Sequence, residues 1–494
     1  MTVAQATGAP LDPIRWDAIH WPSVHDQVRR LQVRIAKAAG EGDFGKVKAL
    51  QWILTHSWHA KLWAVRRVTT NKGAKTPGVD GVSWRTGKKK IAAALALKRL
   101  GYIPQPLRRI YIPKPNGKLR PLGIPTMHDR AMQALYALAL EPVAEVLADK
   151  NSYGFRQRRS TADAVSQLFI VLGKTCSAQW VLDADIKACF DRISHDWLIA
   201  NIPIDTKTLR AWLKAGYVDQ NTFHHTDAGT PQGWIISPIL ANMALDGLEE
   251  AIREAVPRKG AKVNLVRYAD DFVITAATRE LLEETILPVI EEFLAKRGLA
   301  VSSEKTKIVH IDQGFDFLGC NLRKYNGRLS IRPAKKNVLS FMQSIREFIR
   351  SQVGAPTAGL LARLNAKIRG WGNYYRHVIS SKTFDWVNRQ INLALTRWIH
   401  RRHKKSKTWK WRRKHYYRQI QNTWLFSTTY RLADGRIRIL DLFQLSSIKW
   451  RPHVKVRATA HAFDPDLDAY FARRKRRQRY RARVERQFLS RVAA

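Results

Sequence analysis

The sequence predicts an α+β fold, and three observations carry that expectation. From about residue 76 to 325, short β-prone runs alternate with segments of helical period. Residues 335–405 are helical in pattern and strongly basic. Two apolar runs, 263–267 and 272–275, flank Tyr268-Ala269-Asp270-Asp271, which reads as a hairpin presenting adjacent carboxylates at its tip.

Composition narrows the class of partner. The 494 residues suffice for several domains, and 45% hydrophobic content predicts that most of them fold. Lys and Arg number 86 against 40 Asp and Glu, a formal net charge of +46. Such an excess repels itself until a polyanion binds. Seventeen tryptophans are interleaved with the charge, and stacking surfaces beside cations suit RNA. Cys176, Cys189 and Cys320 have neither zinc-ligand nor disulfide spacing, which fits a reducing compartment such as a bacterial cytoplasm. The N-terminus has no apolar h-region. The stretch 131–148 holds Gln133, Glu141, Pro142 and Glu145, so a buried amphipathic helix is expected there and no membrane partner.

Taken in order, residues 1–22 are expected to be poorly ordered. Val24, Val28, Leu31 and Ile35 share one face of a helix over 24–39. Gly40-Glu41-Gly42-Asp43 ends it, and Asp43 caps a second helix running to about Val68. Residues 76–81 form a turn cluster. Asn116-Gly117, between two β-prone runs within 108–125, signals a hairpin bearing Lys114, Lys118 and Arg120. Cations projecting from a hairpin can clamp a triphosphate. Residues 180–185 read as a buried strand, with Val181, Asp183 and Asp185 on one side. Buried carboxylates call for a cation, and periodicity does not choose between Asp183 and Asp185. Gly229-Thr230-Pro231-Gln232-Gly233 sets a loop that can approach a ligand closely, with an apolar helix behind it. Residues 425–460 carry β-prone runs, and 473–486 place nine Arg/Lys against Glu485, the pattern of a solvated arm.

Two basic surfaces are candidate RNA contacts: Arg29, Arg30, Arg34, Arg66 and Arg67 near the N-terminus, and Arg363, Lys367, Arg369, Arg376, Arg401 and Arg402 in the helical block. Trp371, Tyr375, Trp386 and Trp398, among those cations, have the spacing of core residues. His56, His59, His224 and His225 form no metal pattern.

GVDG (78–81), IPKPNGKLRPLGIP (112–125), NSYGFR (151–156), DADIKACFDRISH (183–195), the GTPQG and SPILANMALDGLE segments (229–249), YADD (268–271) and FDFLG (315–319) occur in one order. RGWGNYYR (369–376) and the segment 448–474 follow. In this order the chain resembles the group II intron reverse transcriptase/maturase family. The resemblance implies a right-hand polymerase: an N-terminal extension (1–75), fingers and palm (76–330), a helical thumb or maturase domain (331–425) and a basic, DNA-binding-like C-terminal region (426–494). It implies that Asp185, Ile186, Asp270 and Asp271 hold two Mg²⁺ ions, with Asp185, Asp270 and Asp271 catalytic. Lys114 and Arg120 would grip the incoming triphosphate, Gln232 would lie near the nascent pair, and Lys305 would protonate pyrophosphate or stand as a plain surface lysine. Phe190 would exclude a ribose 2′-OH. Partners implied are intron RNA, target DNA, RNA template with DNA primer, and dNTPs, with splicing and retrohoming as the biological work at the nucleoid. Trp234 departs from the small residue the family has after PQG, which would narrow the template groove. The chain stops without a CxxC nuclease, so another source of primer is expected. Two alternatives are an RNA-binding splicing cofactor with little polymerase activity and a domesticated relative in phage defence or DNA repair.

Overall fold

The computed structural model describes residues 15–113, 117, 119–256, 259–403, 407–431 and 434–476. Lys114, Lys118 and most of the basic tail 473–486 lie outside the described residues.

The chain organises around one long helix, Met127–Leu147. Thr126 caps it by accepting from the Asp129 N–H at 3.1 Å. It is buried on nearly every side because Trp21–Gly40 and Trp58–Thr69 cover one flank and Ser237–Leu245 another. This explains a helix that is apolar around most of its circumference.

A four-stranded antiparallel sheet stands beside this helix, in the order Asn264–Tyr268, Asp271–Ala276, Trp180–Asp185, Lys307–His310. Strand alternation sends Leu182, Ala184, Leu265, Phe272 and Ile274 into the core shared with the long helix. Val181, Val266 and Val273 point the other way, into a second core with Thr161–Leu172 and the helices Lys335–Ser351, Thr357–Tyr375 and Ser381–His403. The sheet therefore divides two hydrophobic cores. The acidic residues at its end lie on the face of the second one.

A hairpin, Leu107–Pro113 with Leu119–Ile124, extends from the body and continues into Tyr217–Asp219 and Thr222–His224. A three-stranded sheet, Phe315–Phe317, Cys320–Tyr325 and Arg328–Pro333, leads to the basic helices. Beyond them, Tyr417–Ile420, Thr423–Arg431 and Ile437–Asp441 form a last sheet, held to Thr357–Tyr375 through Asn365, which bonds Asp441 O and Phe443 N. Among the described residues, no helix is long and apolar enough to cross a membrane.

Several local expectations change. Residues 16–22 are structured: Trp16 is buried against Trp21, and the first helix starts at Trp21 with Pro22 in its first turn. Asp43 caps the second helix at 2.9 Å, but that helix ends at His56 and a new one begins at Trp58, with extended Ser57 between. Trp386 is exposed, whereas Trp398 and Tyr375 are buried. Trp234 is 4% exposed and packs into the main core, so it does not project into a template groove.

Residues 448–476 return across the molecule. Asp163, wholly buried, accepts from His453 Nε2 at 2.9 Å, Val456 N at 2.8 Å and Arg474 at 2.7 Å. Arg159 donates to Ala458 O at 2.6 Å, and Lys455 to Gln167 at 2.6 Å. This part of the C-terminal region is a strap tying the end of Thr357–Tyr375 to Thr161–Leu172, and Arg474 is not part of a solvated arm.

Candidate active site

The tight turn between Tyr268 and Asp271 places Ala269 at a positive φ of 59° and sets Asp270 at the hairpin tip. Asp271 starts the returning strand, directly opposite Asp185 in the register. Cross-strand partners share a face, so the two carboxylates meet. Asp183 lies on the same face two residues back, opposite Lys307. Register distinguishes the two aspartates by position: Asp185 stands opposite Asp271 beside the turn, and Asp183 opposite Val273.

The electrostatics are those of crowded like charges. Burial, then Asp270 and Asp185, pushes Asp271 up to about 7. Burial and Asp185 also raise Asp270, with Lys305 and Arg120 opposing. Asp183 is pushed up to about 6 by burial, Asp316 and Asp185. Lys305, largely exposed, ion-pairs with Asp185 through Nζ, and this pairing raises the lysine. Among the described residues, no group of three or more His, Cys, Asp or Glu is already arranged as a metal cage. The donor set nevertheless suits a hard divalent cation: carboxylate oxygens only, held near one another, with Asp183, Asp270 and Asp271 all raised even though Lys305, Arg120 and Lys307 oppose the shifts. Ile186 is buried with its side chain in the core, so its part at such a site is confined to its carbonyl.

The flexible-looking loop is fixed by backbone. Gln232 O accepts from Gly123 N at 2.8 Å, and Gln232 Oε1 accepts from Arg120 Nε. Thr230 N donates to Phe190 O at 2.6 Å, and Gly229 N to Ile193 O at 2.8 Å. A Cβ on Gly233, whose φ is +118°, would lie 2.3 Å from Gly123 O. Arg120, Gln232, Phe190, Lys305 and the three aspartates are thus gathered at one end of the sheet. Lys114 lies outside the described residues.

Sequence reasoning missed what supports the turn. Residues 151–154 run alongside Asn264–Tyr268: Tyr153 N donates to Arg267 O at 2.9 Å and Arg267 N to Asn151 O at 3.0 Å. A Cβ on Gly154 would sit 2.4 Å from Ala269 N. Arg267, fully buried, ion-pairs with Asp246 beneath. Arg156 and Glu145 form a second buried pair at 2.9 Å. The available signal was the glycine in NSYGFR, which marks close backbone approach.

Comparison with known proteins fits this arrangement. Residues 112–322 match the reverse transcriptase (RNA-dependent DNA polymerase) family model, 16–97 the N-terminal domain of reverse transcriptase, and 338–417 the group II intron maturase-specific domain. Protein YkfC of Escherichia coli K12 is 34% identical over 348 residues, covering 61% of this chain and 90% of that protein. The chain belongs to the group II intron-encoded reverse transcriptase/maturase family. Group II intron-encoded protein LtrA of Lactococcus lactis subsp. cremoris is 32% identical over 366 residues, 58% of this chain and 60% of LtrA. The chain therefore spans most of the first relative and about three fifths of the second. Telomerase from Candida albicans, in complex with the TWJ fragment of telomeric RNA, superposes with TM-score 0.37 at 13% identity, over 60% of this chain and 55% of that one.

Within this reverse transcriptase, Phe190 is half-buried against the main core, with Phe155 edge-on at 6.2 Å. The cations expected to meet RNA differ in setting. Arg30, Arg34, Arg363, Lys367, Arg369 and Arg401 are exposed. Arg66 lies over Trp21, Arg363 and Lys367 over Phe348, and Arg369 over Phe443. Arg29 is bound to Asp468 and Ala462 O, Arg67 to Glu141, and Arg402 to Val353 O and Ala355 O. Those three brace the fold, because partners distant in sequence claim their donors. Arg376 lines a cavity together with His377, Arg451 and His453.

Proposed function

We propose that this chain extends a DNA primer on an RNA template at the Asp185–Asp270–Asp271 cluster, and that its basic helices brace the intron RNA that encodes it. The observation that carries the reading is the pairing of Asp185 with Asp271 across the sheet, next to Asp270 at the turn. Two Mg²⁺ bound there would activate the primer 3′-OH and neutralise charge on the triphosphate. Asp185, Asp270 and Asp271 would be the holders, with the Ile186 carbonyl as a further oxygen. Arg120, fixed by Gln232, offers its guanidinium to triphosphate oxygens from the hairpin side. Lys305, which ion-pairs with Asp185, would supply the ammonium that protonates pyrophosphate. Phe190 closes the space beside the sugar and disfavours a 2′-hydroxyl.

The division into extension, fingers and palm, thumb and C-terminal region is proposed on the same footing. Splicing, retrohoming into a DNA target and work at the nucleoid are proposed from the family. The bacterial relatives and the exposed Arg30, Arg34 and Arg401 support them. Primer extension on poly(rA)/oligo(dT) with Mg²⁺ tests the polymerase reading. Persistent inactivity with RNA binding intact would favour a splicing cofactor built on an idle polymerase body.

A further inference from the structure

Asn242 stands on the helix Ser237–Leu245 and is 6% exposed. Its amide reaches two segments far from it in sequence. Nδ2 donates to Gly154 O at 2.8 Å, and Oδ1 accepts from Arg267 Nη1 at 3.4 Å. A single orientation of the amide serves both partners, because a flip would set oxygen against the carbonyl and NH2 against the guanidinium.

Both partners bear on the acidic turn. Gly154 backs directly onto it: a Cβ there would lie 2.4 Å from Ala269 N and 2.9 Å from Tyr268 C. Arg267 precedes Asp270 by three residues, pairs with Phe272 in the hairpin register and is wholly buried. Its Nη2 is held by Asp246, while its buried Nε has no partner among the described residues. Losing the Asn242 oxygen would therefore leave this guanidinium further short of acceptors in a place without solvent.

The helix that carries Asn242 is itself fixed. Leu240, Ala241 and Ala244 pack into the main core. At its start, Ser237 Oγ donates to Pro231 O at 3.1 Å, and Ile235 N donates to Gln133 Oε1 on the long helix at 3.1 Å. The amide thus joins two backbone segments to a rigid third element.

We propose that Asn242 is a positioning residue for divalent-cation binding at the Asp185–Asp270–Asp271 cluster. It acts through Gly154 and Arg267, which set the backbone on either side of the turn, and so fixes where Asp270 and Asp271 present their oxygens. The inference rests on the reading of those carboxylates as the cation site of a polymerase.

The test uses the full chain and two variants. Asn242→Leu keeps the volume and removes both bonds. Asn242→Asp keeps the shape and an oxygen for Arg267, so it stays folded if the first does not. Three quantities are read: the single-turnover rate of extension on poly(rA)/oligo(dT), the amplitude of an active-site titration, and the Mg²⁺ half-saturation. The last is taken both from extension and from the Mg²⁺-induced rise in Tm. The rate per active site is expected to fall about 10²-fold in Asn242→Leu and about tenfold in Asn242→Asp. Mg²⁺ half-saturation should rise on the order of tenfold in each, with primer–template affinity within about threefold of wild type. A merely structural role would lower the amplitude and Tm and leave the rate per site and the Mg²⁺ half-saturation in place, and that result overturns the proposal. A wild type with neither extension nor a Mg²⁺ response overturns the polymerase reading and this inference together. A wild type with both, matched by its variants, overturns this inference alone.

Discussion

Asp185 and Asp271 stand opposite one another in neighbouring antiparallel strands, and their proximity adds to burial and Asp270 in keeping Asp271 protonated up to about pH 7. Everything proposed for the chemistry depends on that crowding and on what relieves it.

Divalent cations should therefore stabilise the protein more at pH 8 than at pH 6. A carboxyl whose folded pKa is raised binds its proton more tightly in the folded state, so its contribution to stability declines as pH rises from about 4 to 7. As pH rises past about 7 Asp271 ionises, and a cation then competes with progressively less proton. Thermal melting with and without Mg²⁺ checks this: the Mg²⁺-induced rise in Tm grows from pH 6 to 8 and is lost in Asp271→Asn. A rise independent of pH would contradict it.

Gly154→Ala should cripple polymerisation with little change in RNA affinity. Its Cβ would meet Ala269 N at 2.4 Å, and that backbone carries Asp270. Displacing a catalytic group by about 1 Å costs on the order of 10²-fold in rate. Steady-state extension should show the loss in kcat, and anisotropy should show intron binding within about threefold of wild type.

Asp163→Asn should loosen the strap. Burial opposes ionisation of Asp163, but His453, Arg474 and Ser160 outweigh it and hold the carboxyl down to about 2. A depressed folded pKa contributes stability that is complete above the unfolded value near 4 and disappears as pH falls through about 2. The contribution is roughly 2–3 kcal/mol, and leaving its buried partners unpaired brings the cost of the substitution to about 3–5 kcal/mol. Melting at pH 7 should show a large drop, and protease should cut first within 448–476.

Much of this was legible because local patterns coincide with tertiary roles. The YADD hairpin, the strand bearing Asp185 and the Asn-Gly hairpin are each set by short-range turn chemistry and alternation, and register then brings them together. What stayed hidden depends on partners far along the chain. Nothing within 473–476 signals that Arg474 ends against Asp163, and nothing near Arg29 signals Asp468. Trp234 looked like an obstruction in a groove because the family has a small residue after PQG, yet the indole is buried in the main core. Trp386 sits at core spacing but is exposed in the fold, and spacing alone does not say which face of a helix is covered.

Phe190→Val should admit ribonucleotides. Phe190 follows Asp185 by five residues, packs against the main core and meets Phe155 edge-on at 6.2 Å. Removing its outer carbons opens room for a 2′-hydroxyl, and a pocket that excludes by shape loses roughly 10–10²-fold of its discrimination. Competition between rNTP and dNTP in single-nucleotide extension measures the ratio.

The most direct test is Asp270→Ala in the full chain, assayed for primer extension on poly(rA)/oligo(dT) and for intron binding in parallel. The account predicts that extension falls to background while RNA affinity stays within about threefold of wild type. Extension that survives the loss of Asp270, or RNA binding that collapses together with it, would contradict a carboxylate-centred polymerase site distinct from the RNA-bracing surfaces.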